Sequence, residues 1–273
     1  MLRERDWLKG ALTRDPAVAC AEELDSLSDC KLPDLSARLR RAKRRIALLS
    51  ALADLGGVWS LEQVTGALTD LADRATHTAL TALVADEIRR RKLPGKSDAD
   101  AASGAGMVVL AMGKMGAREL NYSSDIDLIC LFDETGFAPD DYHDARASFI
   151  RVTRKMYGLL SDLTADGYVF RTDLRLRPDP SVTPVCLSMD AAERYYESLG
   201  RTWERAAYIK ARPCAGDLAA GARFLDTLRP FVWRRHLDFA AIQDAHDMRL
   251  RIKAHKGLGG ALCLDGHGLK LGQ

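Results

Sequence analysis

The chain has almost no net charge: 40 Lys and Arg stand against 38 Asp and Glu in 273 residues, a formal balance of +2. With no excess of either sign there is no overall field to draw it to a nucleic-acid backbone, so no nucleic-acid partner is expected. Long apolar runs are lacking too. None approaches the roughly 18 residues of a membrane-spanning helix, so no membrane association is expected. The opening Met1-Leu-Arg-Glu-Arg-Asp-Trp7 carries charges where a secretory signal needs an apolar stretch. No CxxC pair occurs. Cys20, Cys30, Cys130, Cys186, Cys214 and Cys263 are scattered, which argues against a zinc ribbon or a disulfide framework and points to a reducing, cytoplasmic location. There is no internal repeat. What is present is 47% hydrophobic and 29% charged, enough apolar material to exclude disorder as the default state.

The organisation changes along the chain. Residues 1–93 read as a helical leader, rich in Ala, Leu, Arg and Glu. Leu35, Leu39, Ala42, Ile46, Leu49 and Leu52 recur at helical spacing, and Leu61 to Ile88 makes a second long helix after the break at Gly56-Gly57. Arg38, Arg40, Arg41, Lys43, Arg44 and Arg45 crowd the first of these helices; they read as a solvated face rather than a phosphate surface. Residues 94–106 read as a Pro-, Gly- and Ser-containing linker. Within residues 107–188, Met107–Met112 and Ile126–Phe132 read as buried strands and Tyr168–Leu176 as an alternating third strand. Asp141–Leu163 reads as a helix with Phe149, Val152, Met156, Leu159 and Leu163 on one face. Residues 189–256 read as a helical extension, with helices at 191–199, 202–211, 218–228 and 239–254, and residues 257–273 as a Gly-rich tail.

The strongest chemical signal runs from a glycine turn at Gly113 through Asn121-Tyr-Ser-Ser-Asp125-Ile-Asp127 into an apolar strand. Side chains alternate along a strand, so Asp125 and Asp127 share a face while Ile126 and Leu128 point to the core. Two close carboxylates repel unless a cation joins them, and hard oxygen ligands suit Mg2+ held together with substrate phosphates. Asp173, in Tyr168-Val-Phe-Arg-Thr-Asp173-Leu-Arg-Leu-Arg177, offers a third acid. Asp173 reads as mid-strand, and Arg175 and Arg177 share its face, where they are expected to meet phosphate oxygens. Three acids would allow a two-metal site for in-line displacement at phosphorus. Gly113 would let backbone approach phosphate, and Lys114, Ser123 and Ser124 are further phosphate-contact candidates, or simply loop structure. Trp203 reads as core, and Lys210 and Arg212 as phosphate or protein-substrate contacts or as structural ion pairs. Cys263 and His267 have no second pair and read as non-metal; His236, His246 and His255 show no partner pattern.

The order of glycine turn, Asp-x-Asp, amphipathic helix and strand Asp matches an α+β, polymerase-β-type nucleotidyltransferase core with a small mixed sheet. Gly113 is followed by Lys114, where that superfamily usually has glycine or serine. Residues 113–128, Asp173-Leu-Arg-Leu-Arg-Pro178 and Tyr195-Tyr-Glu-Ser-Leu-Gly-Arg-Thr-Trp-Glu-Arg-Ala-Ala-Tyr-Ile-Lys-Ala-Arg-Pro213 resemble the glutamine synthetase adenylyltransferase family, from about residue 30 onward. Ala117 stands where that family usually has glycine.

The resemblance implies two nucleotidyltransferase domains in a longer chain, one removing AMP from a glutamine synthetase tyrosine by phosphorolysis to ADP, the other adding AMP from ATP. Arg229–Gln243 and the helical leader resemble the amino-terminal, deadenylylating half, and the chain is expected to be a truncated form of it. It implies Asp125, Asp127 and Asp173 as metal-binding catalytic residues, Mg2+ as cofactor, and glutamine synthetase, phosphate and ADP or ATP as partners beside a PII-type nitrogen signalling protein. The alternatives are ATP-dependent adenylylation by the same site, or a fragment that binds without turnover.

Overall fold

The computed structural model describes residues 4–28 and 30–233, together with Gln243, His246, Asp247, Arg249, Leu250, Arg251 and Ala254. The helix expected at 239–254 is therefore described only at those isolated positions, and the tail at 257–273, with Cys263 and His267, lies outside the described residues, as do His236 and His255. The described residues form an α+β protein in which helices cover both faces of a small mixed sheet.

Four helices open the chain: α1 (Arg5–Ala11), α2 (Pro16–Asp25), α3 (Leu32–Leu55) and α4 (Leu61–Arg89). Asp15 caps α2, its side chain accepting from the Ala17 N–H, with Pro16 preset for the first turn. Ser60 and Gln63 form a reciprocal capping box at the start of α4. Between α3 and α4 the chain reverses through Gly56 and Gly57, the latter at φ +66. Leu35, Leu39, Ala42, Ile46, Leu49 and Ala53 form the buried stripe of α3, which packs on α4.

Arg40, Lys43, Arg44 and Arg45 of α3 do not lie on a solvated face as expected. Arg40 is 1% exposed. Its Nε donates to the Gly167 carbonyl at 2.7 Å, Nη1 to Ser36 Oγ at 2.8 Å and the Leu159 carbonyl at 3.1 Å, and Nη2 to the Asp162 carbonyl at 2.5 Å. Arg45 pairs with Glu4 at 2.8 Å and Glu23 at 3.0 Å, and Lys43 lies 4.2 Å over the Phe170 ring. A buried cation such as Arg40 needs such partners, and apart from Ser36, one helical turn away, its partners lie more than a hundred residues away in sequence.

Residues 94–106, expected as a linker, are ordered. Asp98–Gly106 forms 3-10 turns packed on α4, with Ala101, Gly104 and Ala105 buried. The sheet then begins: β1 (Met107–Ala111), β2 (Ile126–Phe132), β3 (Thr172–Asp173), β4 (Cys186–Ser188) and β5 (Arg212–Gly216). β1 lies antiparallel between β2 and β5, while β3 and β4 run parallel to β2, one after the other along its outer edge. Alternation divides the two cores. Met107, Val109, Ala111, Leu128 and Cys130 face the layer with α3, α4 and α6 (Tyr142–Ser161). Val108, Leu110, Ile129 and Leu131 face α7 (Met189–Ser198), α8 (Thr202–Tyr208), α9 (Leu218–Thr227) and α10 (Arg229–Val232).

Several boundaries differ from expectation. α6 buries Phe149, Val152, Met156 and Leu160, whereas Leu163 lies past its end and is 80% exposed. The expected third strand shrinks to Thr172–Asp173 because the chain turns at Arg175 and Leu176. The helix expected to reach 211 stops at Tyr208 and gives way to β5, in which Pro213 pairs with Leu110 beside a register shift. Edge strands and irregularities are where a sheet tolerates proline.

Candidate active site

The parallel pairing of β2 with β3 sets Ile126 beside Thr172 and Asp127 beside Asp173. Strand neighbours at one register position lie about 4.8 Å apart with side chains on the same face. Asp127 has the parity of Ile129 and Leu131, and so projects to the α7–α10 side of the sheet. Asp125 precedes the strand by one residue with the same parity.

The turn after β1 closes on this pair. Residues Gly113–Gly116 form the single helical turn α5, and the Met112 N–H donates to the Asp127 carbonyl at 2.9 Å. Gly113 has φ +55, and a Cβ there would stand 3.4 Å from Asp127 Oδ2. Glycine leaves that approach to the carboxylate open. Gly116 is held more tightly, since a Cβ would fall 1.8 Å from the Lys210 carbonyl oxygen. Arg212 fastens the same turn: it donates to the Gly116 and Met115 carbonyls and pairs with Asp73 of α4 at 2.9 Å. Lys210 pairs with Glu119 at 2.8 Å, so both basic residues serve as structural ion pairs.

Arg175 is drawn back onto Asp173. Its backbone N–H donates to Asp173 Oδ1 at 2.8 Å, and its guanidinium reaches Oδ1 and Oδ2, Nη2 lying 2.5 Å from Oδ2. That ion pair holds the Asp173 carboxyl below its ordinary range, against burial that acts the other way. The guanidinium is in turn stabilised by Asp173 first, then by the more distant Asp127 and Asp125.

Arg177 does not share this face. The turn at Arg175 and Leu176 sends its guanidinium to the carbonyls of Leu174, Pro180 and Thr183. Ser124 closes a loop with Asn121, its hydroxyl donating to Asn121 Oδ1 at 2.7 Å. The Ser123 side chain is exposed and Lys114 is half-buried at the turn. Trp203 is 36% exposed on α8 rather than in the core. Arg171 is a residue that sequence reasoning passed over. Its carbonyl accepts from the Ile126 N–H at 2.9 Å and its guanidinium donates to the Ser123 carbonyl at 2.6 Å, so it ties the acidic loop to β3. Its place two residues before Asp173 was the available signal.

Among the described residues, no three His, Cys, Asp or Glu side chains converge as a ready-made metal cage. The donor set still fits a hard divalent cation. Mg2+ is commonly held by one or two carboxylates, with waters and substrate phosphates completing its shell, and Asp127 and Asp173 supply two carboxylates at one register position. Among the described residues no helix is long and apolar enough to cross a membrane.

A family model described as glutamate-ammonia ligase adenylyltransferase matches residues 7–227. A bifunctional glutamine synthetase adenylyltransferase/adenylyl-removing enzyme of a Bradyrhizobium species is 50% identical over 263 residues, covering 96% of this chain and 26% of that protein. Enzymes of the same description from Xanthobacter autotrophicus and Agrobacterium fabrum are 54% and 48% identical, covering 86% and 88% of this chain and 24% of each relative. The chain thus spans about a quarter of the length of the curated relatives it matches.

Proposed function

The chain belongs to the glutamate-ammonia ligase adenylyltransferase family, a family of nucleotidyltransferases, and from that premise we propose that it removes AMP from an adenylylated tyrosine of glutamine synthetase by phosphorolysis. The observation that carries this reading is the register pairing of Asp127 with Asp173 beside the open backbone of Gly113. We read β1, the glycine turn, β2, α6 and β3 as a polymerase-β-type core. The likeness of Arg229–Gln243 and of the helical leader to the deadenylylating half supports removal over addition.

In this reading Asp127 and Asp173, with Asp125 beside them, hold Mg2+. The ion, when bound, neutralises charge on the phosphoryl oxygens and orients them for in-line displacement. Gly113 leaves room for phosphate to approach Asp127, and Arg175, exposed at the rim, meets phosphate oxygens. Lys114, Ser123 and Ser124 border the same approach. An oxygen of inorganic phosphate forms a bond to the adenylyl phosphorus as the bond to the tyrosine oxygen breaks. Tyrosinate leaves with the electron pair and is protonated by solvent, and ADP is the nucleotide product. Most of the acceleration comes from positioning and from charge stabilisation. Glutamine synthetase is the proposed protein substrate, a PII-type signalling protein the proposed regulator, and the cytoplasm the proposed location.

The test separates the two directions. Adenylylated glutamine synthetase with phosphate and Mg2+ should yield ADP, whereas unmodified glutamine synthetase with ATP should yield no pyrophosphate. Pyrophosphate without ADP would reverse the assignment to ATP-dependent adenylylation.

A further inference from the structure

We propose that Arg175 is a tethered counterion of the carboxylate pair, and that a divalent cation takes its place by displacing the guanidinium from Asp173. This rests on the metal-binding reading of Asp127 and Asp173 given above. Two carboxylates at one register position of adjacent parallel strands repel each other, and some positive charge must offset them. In this structure the offsetting charge comes from the chain itself. Both oxygens of Asp173 accept from Arg175. The same lone pairs that would bind a cation are therefore engaged by the guanidinium.

Two features make the arm displaceable rather than structural. Its side chain is 82% exposed, so it leaves Asp173 for water without opening a core. Its base is fixed separately, because the Arg175 backbone N–H donates to Asp173 Oδ1 at 2.8 Å and can hold the turn when the side chain swings away. The neighbouring Arg177 is a contrast: its guanidinium is bound to three backbone carbonyls and has no such freedom. Asp127 and Asp125 also stabilise the Arg175 cation, which places it in the field of all three acids. Released by a metal ion, the arm stays within reach of the site, where an anionic phosphate would be its next partner.

An exposed ion pair is a weak competitor, so its removal should change metal affinity by about fivefold rather than by orders of magnitude. The experiment titrates Mn2+ into the 273-residue chain and follows free Mn2+ by electron paramagnetic resonance, without turnover. Arg175→Gln should bind about fivefold more tightly than the unaltered chain. Arg14→Gln, which removes an exposed arginine paired with Glu22 among the opening helices and touching nothing at the site, should stay within about twofold. Equal or weaker binding by Arg175→Gln, or an equal gain in Arg14→Gln, overturns the proposal and leaves the metal site standing. Binding by neither the unaltered chain nor Arg175→Gln overturns both the proposal and the metal reading.

Discussion

Asp127 and Asp173 are 46 residues apart in sequence and occupy one register position on two parallel strands. Everything else at the site is arranged around that pair. The Gly113 backbone borders Asp127, Arg175 grips Asp173, and Arg171 ties the loop before β2 to the strand that carries Asp173.

The two glycines of the turn should respond differently to alanine. Gly113→Ala forces a left-handed φ on a residue with a Cβ, at a cost of about 1 kcal/mol, but its methyl meets Asp127 Oδ2 only at 3.4 Å. The fold should survive while the methyl narrows the approach to Asp127, lowering turnover about tenfold. Gly116→Ala would drive a methyl to 1.8 Å from the Lys210 carbonyl oxygen, and should cost about 3 kcal/mol or more. Urea unfolding midpoints compared with turnover separate the two effects.

Arg40 should behave as a core residue. Arg40→Ala removes hydrogen bonds to the Leu159, Asp162 and Gly167 carbonyls, which sit at the end of α6 and in the turn that leads to β3. A loss of about 3–5 kcal/mol is expected, lowering Tm by roughly 10 °C. A solvated arginine would give a change within about 0.5 kcal/mol, so calorimetry distinguishes the two.

Lys43 should make stability rise with pH. Burial pushes its ammonium down from 10.5 to about 8, and the Phe170 ring face offsets part of that cost. Near pH 7 the amine is protonated both folded and unfolded, and the folded state bears the desolvation. Between about 8 and 10.5 the unfolded chain holds the proton more often, so this site's contribution to stability grows as pH rises through that window. Lys43→Met should therefore be more stable than the unaltered chain at pH 7, with a gap that narrows by pH 10. Urea midpoints at both values check it; a constant gap would show that Lys43 does not titrate there.

Much of the scaffold was legible from local pattern. The spacing of Leu35, Leu39, Ala42, Ile46 and Leu49 marked α3, the glycine pair marked its end, and the runs at 107–112 and 126–132 marked β1 and β2. What escaped depended on partners distant in sequence. Pro213 and Gly216 argue locally against a strand, yet β5 forms because it lies at the edge and accommodates a register shift against β1. Arg40 looks like any surface arginine until carbonyls some 120 residues away surround it. At the candidate site, the facing of Asp125 and Asp127 followed from strand alternation. The turn after Leu174, which brings Arg175 onto Asp173 and sends Arg177 elsewhere, has no comparable periodic signal.

The most direct test of the account is phosphate-dependent ADP release from adenylylated glutamine synthetase in the presence of Mg2+, by the unaltered chain beside Asp127→Asn and Asp173→Asn. The account predicts release that requires phosphate and falls by at least about a hundredfold in either variant, with Tm within a few degrees of the unaltered chain. Full release by either variant would contradict the assignment of the paired carboxylates as the centre of the chemistry.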